Sequence, residues 1–537
     1  MCGIFYYKGP NNSTKNLEES SKKIKYRGPD NSKSVFVDEN IFFDFHRLSI
    51  IGNSELGNQP MIINELPHLT IVCNGEIYNY KDLANQYNIN LKTGSDTEII
   101  LHLYNKIGIR NTVKALDGVF MFVLYDEKVK TTFSARDPYG VRPGFYGSTV
   151  DGDISIASEA KALTGFCNSI IPFPPGNIWD SNSCEFSPYY ERGVKTLENQ
   201  NEPVILDNIK NLLFLSVEKR MMSEREIGAL LSGGLDSSLI AAIVSSFSES
   251  KLKTFSIGMQ GSIDLEYALT VSKYIDTDHH QIEITENEFL DAIETVIYNI
   301  ESFDITTVRA SIGNYLVSKY IKQNTDCKVI FNGDGSDEVC GGYLYMMNAP
   351  SDEHFQRETE DLVNQIYLFD VLRSDRSISS NGLEARTPFL DKSFVQYYLS
   401  IPSKMKTFGA ENKIEKFLLR KSFEDLNLLP KKVLWRNKCA FSDGVSSKEN
   451  SWHKVLQNYI DKKVTDVEFI NNSKDFSHCA PISKESYFYR KIFESTFKNH
   501  ENLIPFFWMP KWSDVSDPSA RERLRSHDQS PRFASVD

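Results

Sequence analysis

The feature that most constrains the fold of this chain is the run Ser232–Ser238, which reads Ser-Gly-Gly-Leu-Asp-Ser-Ser. It follows the apolar segment Ile227–Leu231 and precedes a segment in which apolar residues recur with helical periodicity. Paired glycines allow backbone N–H groups to point at one spot, and the amino end of a helix adds positive potential there. A strand, an anion-binding turn and a helix in this order predict a parallel sheet covered by helices.

Asp236 indicates which anion this turn binds. A carboxylate repels phosphate unless a cation lies between them, so its position beside Ser237 and Ser238 predicts Mg²⁺ at the bound anion. The chain contains no Gly-x-x-x-x-Gly-Lys-Ser/Thr motif, which argues against transfer of a γ-phosphate. The alternative interpretation is an ordinary glycine-serine turn between a strand and a helix.

Cys2 lies directly behind the initiator Met1. Removal of Met1 would leave a thiol and a free α-amino group on one residue. An α-amine with a pKa of about 7.7–8.0 can accept a proton near neutrality. Nucleophile and base would then belong to the same residue. The alternative is that a small second residue only permits removal of the methionine.

The composition, with 40% hydrophobic and 25% charged residues, is that of an ordinary globular protein, and 537 residues exceed a single core. The net charge of −12 argues against nucleic acid or an anionic membrane as a partner, and no apolar stretch approaches about 20 residues. Eight cysteines without paired Cys-x-x-Cys spacing are typical of a reducing compartment. We therefore expect a cytoplasmic protein that acts on small molecules.

The pattern of the chain changes near residue 172. Strand-like runs and two helices before it indicate stacked sheets in a layered α+β domain, and the Pro-rich residues 172–203 indicate a linker. After the linker, strands alternate with helices as in a parallel sheet, and helical patterns dominate from residue 353 to about 497. The predicted strands are Ile41–Ile51, Leu69–Cys73, Val119–Tyr125, Thr131–Ala135, Ile154–Ala157, Ile227–Leu231, Thr254–Gly258, His280–Ile284 and Cys327–Asn332, and the predicted helices include Tyr80–Tyr87, Thr97–Ile107, Leu206–Met222 and Leu265–Tyr274.

Further motifs connect the chain with known families. The run Ser232–Ser238 resembles the pyrophosphate-binding loop of ATP pyrophosphatases, and four N-terminal motifs resemble those of class II glutamine amidotransferases. In this order, the two resemble glutamine-hydrolysing asparagine synthetases over nearly the whole chain, to about Ala520. The four N-terminal motifs are Arg27–Asp30, His46–Ile50, Asn74–Asn79 and Ser95–Glu98.

The resemblance implies a fold and a domain division. We expect a four-layer αββα N-terminal nucleophile domain over residues 2–180. An α/β parallel-sheet ATP pyrophosphatase domain with a helical C-terminal part is expected over residues 205–512, and a disordered tail over residues 513–537. A homodimer is a further expectation.

The resemblance also assigns roles in the glutaminase half. Cys2 would attack the side-chain amide of glutamine and release ammonia, while the Asn74 amide and the Gly75 N–H would bind the tetrahedral oxyanion. Arg47 would bind the α-carboxylate of glutamine and Asp96 its α-ammonium group. Taken singly, Arg47 could equally form a structural ion pair, and Asp96 could cap a helix. The resemblance adds Leu48, Ser49, Ile50, Ile51 and Glu76 to the glutamine site.

In the synthetase half, the resemblance implies that Asp236 and Asp337 hold Mg²⁺ and pyrophosphate. Asp334 and Lys438 would take part in catalysis, the lysine by neutralising phosphate charge, although by itself Lys438 would be interpreted as a surface residue. The implied ATP site comprises Leu230, Ser232, Gly233, Gly234, Asp236, Ser237, Ser238, Ile257, Asn332 and Gly333, and the implied aspartate site Thr306, Thr307 and Arg309. Leu230 and Ile257 are equally plausible as core residues, and the Thr-Thr pair as a helix start.

The chain departs from the family pattern at several positions. Asn332 and Asp334 stand where the family usually has Ser and Glu, and Asp is one methylene shorter, so a contact could be lost or bridged by water. Cys439 replaces a usual Glu, Thr387 replaces Val, and Tyr26 replaces a common His. Three of these changes fall at or near the synthetase chemistry and bear on its rate, whereas the glutaminase set is intact.

The resulting hypothesis is ATP-dependent synthesis of L-asparagine from L-aspartate and L-glutamine. Aspartate would attack the α-phosphorus of MgATP to give β-aspartyl-AMP, and ammonia released at Cys2 would then attack this adenylate. Because ammonia is protonated in neutral water, a dry passage is expected between the two domains. Two alternatives stay open, a related ligase for another carboxylate and a catalytically weakened structural or regulatory homologue. A glutaminase-bearing sugar aminotransferase would have no reason to carry Ser232–Ser238.

Overall fold

The computed structural model describes residues 1–191, 193–198, 200–409, 413–438, 452–513 and 518. Cys439 and most of the predicted tail lie outside the described residues. Within the described ranges, no helix is long and apolar enough to cross a membrane.

Two antiparallel sheets occupy the N-terminal part of the chain. Their strands are β1 (Gly3–Lys8), β2 (Asn31–Asp38), β3 (Ile41–Arg47), β4 (Leu69–Ile77), β5 (Gly118–Asp126), β6 (Thr131–Arg136), β7 (Phe145–Ser148), β8 (Ile154–Ala157), β9 (Ser169–Pro172), β10 (Asn177–Asp180) and β11 (Glu185–Pro188). The first sheet has the order β2-β3-β1-β8-β7-β9, and the second the order β11-β10-β6-β5-β4. The five strands predicted here are therefore confirmed, with boundary changes of a few residues.

Alternation of side chains along β1 explains how these sheets stack. Ile4 and Tyr6 point into the apolar cluster between the sheets, where they meet Val72 and Met121, whereas Phe5 and Tyr7 point to the opposite face. The outer faces are covered by helices α1 (Thr14–Lys22), α2 (Tyr80–Gln86) and α3 (Glu98–Ala115) together with helices of the C-terminal part. This arrangement confirms the four-layer αββα expectation.

Helix α3 is interrupted at Gly108, whose φ of 74° lies in the left-handed region that favours glycine. Its first segment ends at Ile107, as predicted, and a second helical segment follows to Ala115. Thr97, not Asp96, occupies the N-cap position of this helix. The side chain of Asp96 is therefore available for another role.

A parallel sheet forms the centre of the C-terminal part, as predicted. Its strands are β12 (Ile227–Leu230), β13 (Lys253–Gly258), β14 (Asp278–Glu283), β15 (Val329–Phe331) and β16 (Glu384–Arg386). Their order is β14-β13-β12-β15-β16, and each neighbouring pair is parallel. The carboxyl ends of β12 and β15 therefore meet at one edge, where ligands bind in open α/β sheets.

Helices surround this sheet and form most of the chain that follows it. They are α4 (Glu202–Arg220), α5 (Leu235–Phe247), α6 (Ile263–Tyr274), α7 (Glu286–Asp291), α8 (Ile293–Ile300), α9 (Ile305–Asn324), α10 (Ser336–Cys340), α11 (Asp352–Gln365), α12 (Asp370–Ser379), α13 (Lys392–Ser400), α14 (Ser403–Lys406), α15 (Phe417–Ser422), α16 (Lys431–Leu434), α17 (Trp452–Lys463), α18 (Asp466–Asn472) and α19 (Lys484–Thr496). The predicted helical C-terminal part is confirmed.

The two parts of the chain share a buried core. Leu48, Ile50 and Tyr139 belong to the same apolar cluster as Val217 and Leu231. The segment behind β3 therefore packs directly against the segment that carries β12. Burial of this surface keeps the N-terminal residues close to the parallel sheet.

Candidate active site

Cys2 lies at the amino end of β1, below the surface. Its backbone N–H donates to Oδ1 of Asn74 at 2.9 Å, and its Sγ lies 3.5 Å from the backbone N–H and 3.6 Å from the carbonyl of Leu48. Burial raises the pKa of the thiol. Since a buried thiol stays protonated at neutral pH, Cys2 needs a nearby base before it can act as a nucleophile.

The side-chain amide of Asn74 is only partly hydrogen-bonded within the described part of the chain. Its amide oxygen accepts from Cys2, but its Nδ2 is buried and has no hydrogen-bond partner among the described residues. Buried donors are rarely left unpaired, so this one suits a group that arrives with a substrate. A Cβ at Gly75 would lie 2.1 Å from the Val119 carbonyl, so glycine is required for β4 and β5 to approach this closely.

The Arg47 guanidinium is occupied by its own loop. It donates to the carbonyls of Gly52 and Ser54, and at 2.8 Å to Oδ1 of Asn58. These bonds fold residues 48–58 beside Cys2. Binding of the glutamine α-carboxylate by Arg47 stays a prediction, because in this structure the side chain stabilises the loop.

The other residues of this loop have mainly apolar surroundings. Leu48 and Ile50 are buried in the core shared by the two parts of the chain, and Ile51 packs against it. The backbone N–H of Ser49 donates to Oδ2 of Asp30 at 2.8 Å. These four residues therefore form a wall beside Cys2, and their contact with glutamine stays a prediction.

Two buried carboxylates lie near Cys2, in different surroundings. Asp96 accepts from the backbone N–H of Ile77 at 2.6 Å, and burial raises the pKa of its carboxyl to about 6. Glu76 lies 3.8 Å from the Arg386 guanidinium of β16, and burial followed by repulsion from Glu384 raises its pKa well above the usual value. Asp96 thus fits the predicted role of an ammonium ligand, whereas Glu76 faces the C-terminal part.

The loop between β12 and α5 has the predicted strand–turn–helix form. Ser237 Oγ accepts from the backbone N–H of Ser232 at 3.1 Å and lies 2.9 Å from its hydroxyl. Gly233 has a φ of 73°, and a Cβ there would lie 2.5 Å from the backbone of α6. The hydroxyl of Ser238 is buried without a hydrogen-bond partner among the described residues. The turn therefore presents hydroxyls and an open helix end at the sheet edge, as anion binding requires.

A group of two carboxylates and two lysines lies beside this turn. The Nζ of Lys416 lies 2.6 Å from a carboxylate oxygen of both Asp236 and Asp337, and Lys438 forms an ion pair with Asp337. Although burial raises the pKa of Asp337, the two lysines lower it well below its usual value. Sequence reasoning missed Lys416, which lies about 180 residues from its partner Asp236 and belongs to no motif.

This pair of carboxylates fits the predicted Mg²⁺. Magnesium in nucleotide sites is commonly held by one or two carboxylates and completes its shell with phosphate oxygens and water. Asp236 and Asp337 meet at Lys416, so a cation could bridge them in the same place. In the described part of the chain, no group of three or more His, Cys, Asp or Glu side chains is arranged so that it could hold a metal ion by itself, so phosphate oxygens would have to supply further ligands.

The loop after β15 is held by α12. Nδ2 of Asn332 donates to Ser374 Oγ at 2.8 Å, and the Asp334 carboxylate lies 3.6 Å from the Arg373 guanidinium. Burial raises the pKa of Asp334. Leu230 and Ile257 are predicted either to line the nucleotide site or to belong to the core. Ile257 is buried in the apolar cluster beneath the loops, and the half-buried Leu230 packs against this cluster.

The predicted aspartate residues lie at the start of α9. Asp304 caps this helix and accepts from the backbone N–H of Thr307 at 2.9 Å and from its hydroxyl at 2.8 Å. Oγ1 of Thr306 is buried without a hydrogen-bond partner among the residues described. The Arg309 guanidinium makes two hydrogen bonds to Glu485 of α19, at 2.8 and 2.7 Å. Thr306 thus has a free hydroxyl, whereas Arg309 is engaged in an ion pair that sequence reasoning missed, and aspartate binding by either stays a prediction.

Comparisons with known proteins agree with this division. Residues 1–172 match the family described as glutamine amidotransferase domain, and residues 208–357 and 347–516 match asparagine synthase. The proteins named asparagine synthetase [glutamine-hydrolyzing] from Cricetulus griseus and Mus musculus are each 43% identical to this chain, and that from Homo sapiens is 42% identical. Each of these alignments covers 97% of this chain and 98% of the relative.

The chain belongs to the asparagine synthetase family. Among solved structures, the glutamine phosphoribosylpyrophosphate amidotransferase from B. subtilis aligns at 19% identity with a TM-score of 0.31, covering 46% of this chain and 64% of that one. The family relationship therefore rests on the sequence comparisons.

The raised pKa of Asp96 predicts a pH dependence of glutamine binding. As the pH falls from 7.5 to 5.5 through a pKa of about 6, the carboxylate takes up a proton and loses its charge for an ammonium group. We expect the KM for glutamine in glutamate release to rise about fourfold over this range. Asp96→Asn should raise KM at every pH and abolish this pH dependence, and the exposed Asp82→Asn should change neither. An unaltered pH profile in Asp96→Asn would contradict this role.

Close packing of the two sheet-edge loops predicts the effect of Gly333→Ala. The added Cβ would lie 2.7 Å from the backbone N of Ser237, so the nucleotide turn must shift. We expect aspartate-dependent exchange of pyrophosphate into ATP to fall about tenfold or more, with glutamine hydrolysis unchanged. The control is Gly193→Ala, whose Cβ would meet no atom within 4 Å. Normal exchange in Gly333→Ala would show that the turn does not bind the nucleotide.

Proposed function

We propose that this protein makes L-asparagine from L-aspartate, ATP and ammonia that it releases from L-glutamine. The observation that best supports this is the buried, unpaired Nδ2 of Asn74 beside an N-terminal thiol, in a chain that also carries the nucleotide turn Ser232–Ser238. We assign glutamine hydrolysis to a domain over residues 2–180 and synthesis to one over residues 205–512. A cytoplasmic location and a homodimer complete the proposal, the former because the seven cysteines in the described residues are all free.

Glutamine hydrolysis would begin once Met1 has been removed. The α-amine of Cys2 then takes the thiol proton, and Sγ attacks the amide carbon of glutamine. The negative charge that develops on oxygen is stabilised by Nδ2 of Asn74 and the N–H of Gly75. The α-ammonium group of Cys2 returns the proton to the amide nitrogen, ammonia leaves, and a thioester remains on Cys2. Water then hydrolyses the thioester to glutamate and restores the thiol. The Asp96 carboxylate holds the α-ammonium group of the substrate.

Activation of aspartate would take place at the edge of the parallel sheet. The hydroxyls of Ser232, Ser237 and Ser238 and the amino end of α5 bind the pyrophosphate portion of ATP. Asp236 and Asp337 would hold Mg²⁺, which when bound neutralises phosphate charge. Lys416 and Lys438 then turn from the carboxylates toward the phosphates, where they stabilise the charge on the leaving pyrophosphate.

Amide formation completes the reaction. The β-carboxylate of aspartate attacks the α-phosphorus, pyrophosphate leaves, and ammonia displaces AMP from the acyl carbon. We assign acceptance of the surplus proton to Asp334, because burial raises the pKa of its carboxyl. The hydroxyl of Thr306, unpaired among the described residues, is a ligand for the aspartate substrate.

Removal of Met1 would also open space between the two centres. Its side chain is 1% exposed and belongs to an apolar cluster with Phe255, Ile330 and Leu383 in the C-terminal part. Loss of this residue leaves apolar volume between Cys2 and the end of β15. We propose that ammonia travels through this region, where the apolar lining keeps it unprotonated.

Replacement of the nucleophile tests the division of labour. Cys2→Ala should lose glutamine-dependent asparagine formation by about a hundredfold or more, because no thioester can form. Asparagine formation from ammonium salts should stay within about twofold of wild type, because the nucleotide site is untouched. The exposed Cys184→Ala is the matched control. Both reactions are followed with aspartate, glutamate and larger dicarboxylates, and a preference for another acid, or loss of both reactions with the fold intact, would refute the proposal.

A blocked amino terminus tests the role of Met1 removal. Protein released by a protease with Cys2 as its first residue should hydrolyse glutamine, whereas the same protein with one glycine ahead of Cys2 should not. The extra residue removes the free α-amine of Cys2 and occupies the buried position of Met1. Intact mass gives the terminus of each preparation, and glutamate release gives the activity. Full hydrolysis by the extended protein would contradict the mechanism.

A further inference from the structure

Helix α12 contacts both reaction centres through three consecutive residues. Arg373 lies 3.6 Å from the Asp334 carboxylate, and Ser374 accepts a hydrogen bond from Asn332 at 2.8 Å. Asp375, the next residue, forms an ion pair with Arg27 of the glutaminase half at 2.9 Å. One helix thus joins the loop after β15 to the segment that precedes β2.

Arg27 carries this contact to the nucleophile. Its Nε donates to the backbone carbonyl of Cys2 at 3.0 Å, and its Nη1 pairs with both Asp375 and Glu159. The same nitrogen donates to Ser379 Oγ at 2.9 Å, near the end of α12. The carbonyl of Cys2 is therefore bound by a side chain whose position is set by α12 together with Glu159.

The Arg27–Asp375 pair is fully enclosed. The two side chains are 0% and 2% exposed, and in a low dielectric a charge is costly unless a partner of opposite sign is held in good geometry. Oδ2 of Asp375 has no hydrogen-bond partner among the described residues, and the nearest further cation, Arg142, is 4.0 Å away. Arg27 is thus the main partner of this carboxylate, and a shift of Asp375 must move it.

The geometry of α12 makes it suitable for such coupling. Residues two apart on a helix point about 200° away from each other and differ by about 3 Å along its axis. Arg373 and Asp375 therefore face opposite sides, one toward the nucleotide edge and one toward Cys2. An ion pair with Asp370 at 2.6 Å holds Arg373, and α12 packs against α8, α9 and β16. A displacement at one end would thus move the helix as a unit.

We propose that α12 couples the two reaction centres, with Asp375 acting as a positioning residue for Cys2 through Arg27. Occupation of the synthetase site by aspartate and MgATP draws in the loop that carries Asn332 and Asp334. The helix follows, and the Cys2 backbone settles into the geometry for attack on glutamine. Glutamine hydrolysis is consequently faster when the acceptor substrates are bound. This coupling deepens the proposed function and presupposes its two activities.

Two residues at the synthetase end of this connection differ from the pattern expected from the resemblance. Asn332 and Asp334 are two of the positions that depart from the usual family pattern, and both are held by α12. The Asn332 amide reaches Ser374, so the loop and the helix are joined by a hydrogen bond as well as by charge. Contact between loop and helix is thus retained although the Asp334 side chain is short.

The test compares glutamate release with and without aspartate and MgATP in wild type, Asp375→Asn and Ser374→Ala. Wild type should be stimulated severalfold by the acceptor substrates. Asp375→Asn should lower kcat for glutamine hydrolysis about tenfold with little change in KM, and should abolish the stimulation, because the charge that orients Arg27 is gone. Ser374→Ala should keep hydrolysis of glutamine alone at the wild-type rate but reduce the stimulation.

Controls separate coupling from stability and from the proposed function. Asp361→Asn removes a 43% exposed carboxylate on α11 and should behave as wild type. Asparagine formation from ammonium salts reports on the fold and on the synthetase centre, and it should stay within about twofold of wild type in Asp375→Asn. If wild type fails to make asparagine from ammonium, the proposed function is wrong. The coupling can still be measured by comparing glutamate release with and without aspartate and MgATP.

For wild type and Asp375→Asn, two results would overturn the coupling. One is the absence of stimulation in wild type, and the other is wild-type hydrolysis and stimulation in Asp375→Asn. If Asp375→Asn does not fold, Asp375→Glu and Ser374→Ala decide the outcome. Asp375→Glu retains the charge and should retain hydrolysis and part of the stimulation. Full stimulation in Ser374→Ala together with none in a folded Asp375→Glu would place the connection elsewhere.

Discussion

Burial of charge between the glutaminase and synthetase halves is the constraint on which the rest of this structure depends. Arg27, Glu159 and Lys161 from one half meet Glu301 and Arg376 from the other, and each of these side chains is at most 2% exposed. Ion pairs in a dry interior add little net stability, because desolvation offsets their attraction. Loss of one partner is nevertheless costly, so the two halves are favoured in one relative position. The proposed passage of ammonia between the two reaction centres requires such a fixed position.

The two centres differ in how close they are to a reactive state. At the glutaminase centre, the thiol, the Asn74 Nδ2 that has no partner among the described residues, and the buried Asp96 are already in place. In the proposed mechanism, removal of Met1 completes the set. At the synthetase centre, Lys416 pairs with Asp236 and Asp337, the carboxylates expected to hold a cation. In the proposed mechanism, Lys416 and Lys438 move toward the phosphates when nucleotide binds. A preorganised glutaminase centre and a synthetase centre that rearranges fit the proposed coupling. In it, binding of aspartate and MgATP controls the rate of glutamine hydrolysis.

Local patterns in the sequence were sufficient for a large part of this account. The nucleotide turn could be predicted because strand, glycines and helix are contiguous. The continuous apolar run of β5 and the helical pattern of α6 each lie within one element. Several missed strands, among them β7, β10 and β16, have three or four residues, too few for a pattern. The longer β1 and β2, with six and eight residues, were also missed, and the residues of β2 are exposed or half-buried. The missed partners Lys416, Glu485 and Asp375 are distant in sequence from the groups they bind. Only tertiary packing brings them together, so no spacing could have revealed them.

The residues that depart from the family pattern lie in different surroundings. Tyr26 lies at the interface between the halves, where its hydroxyl bonds to Glu159 and accepts from Lys161, so it extends the buried charge network. Asn332 and Asp334 instead lie at the chemistry, but each has a partner on α12. A carboxylate one methylene shorter can still act if the loop beneath it is held closer to the substrate, and the Asn332–Ser374 bond supplies such a restraint.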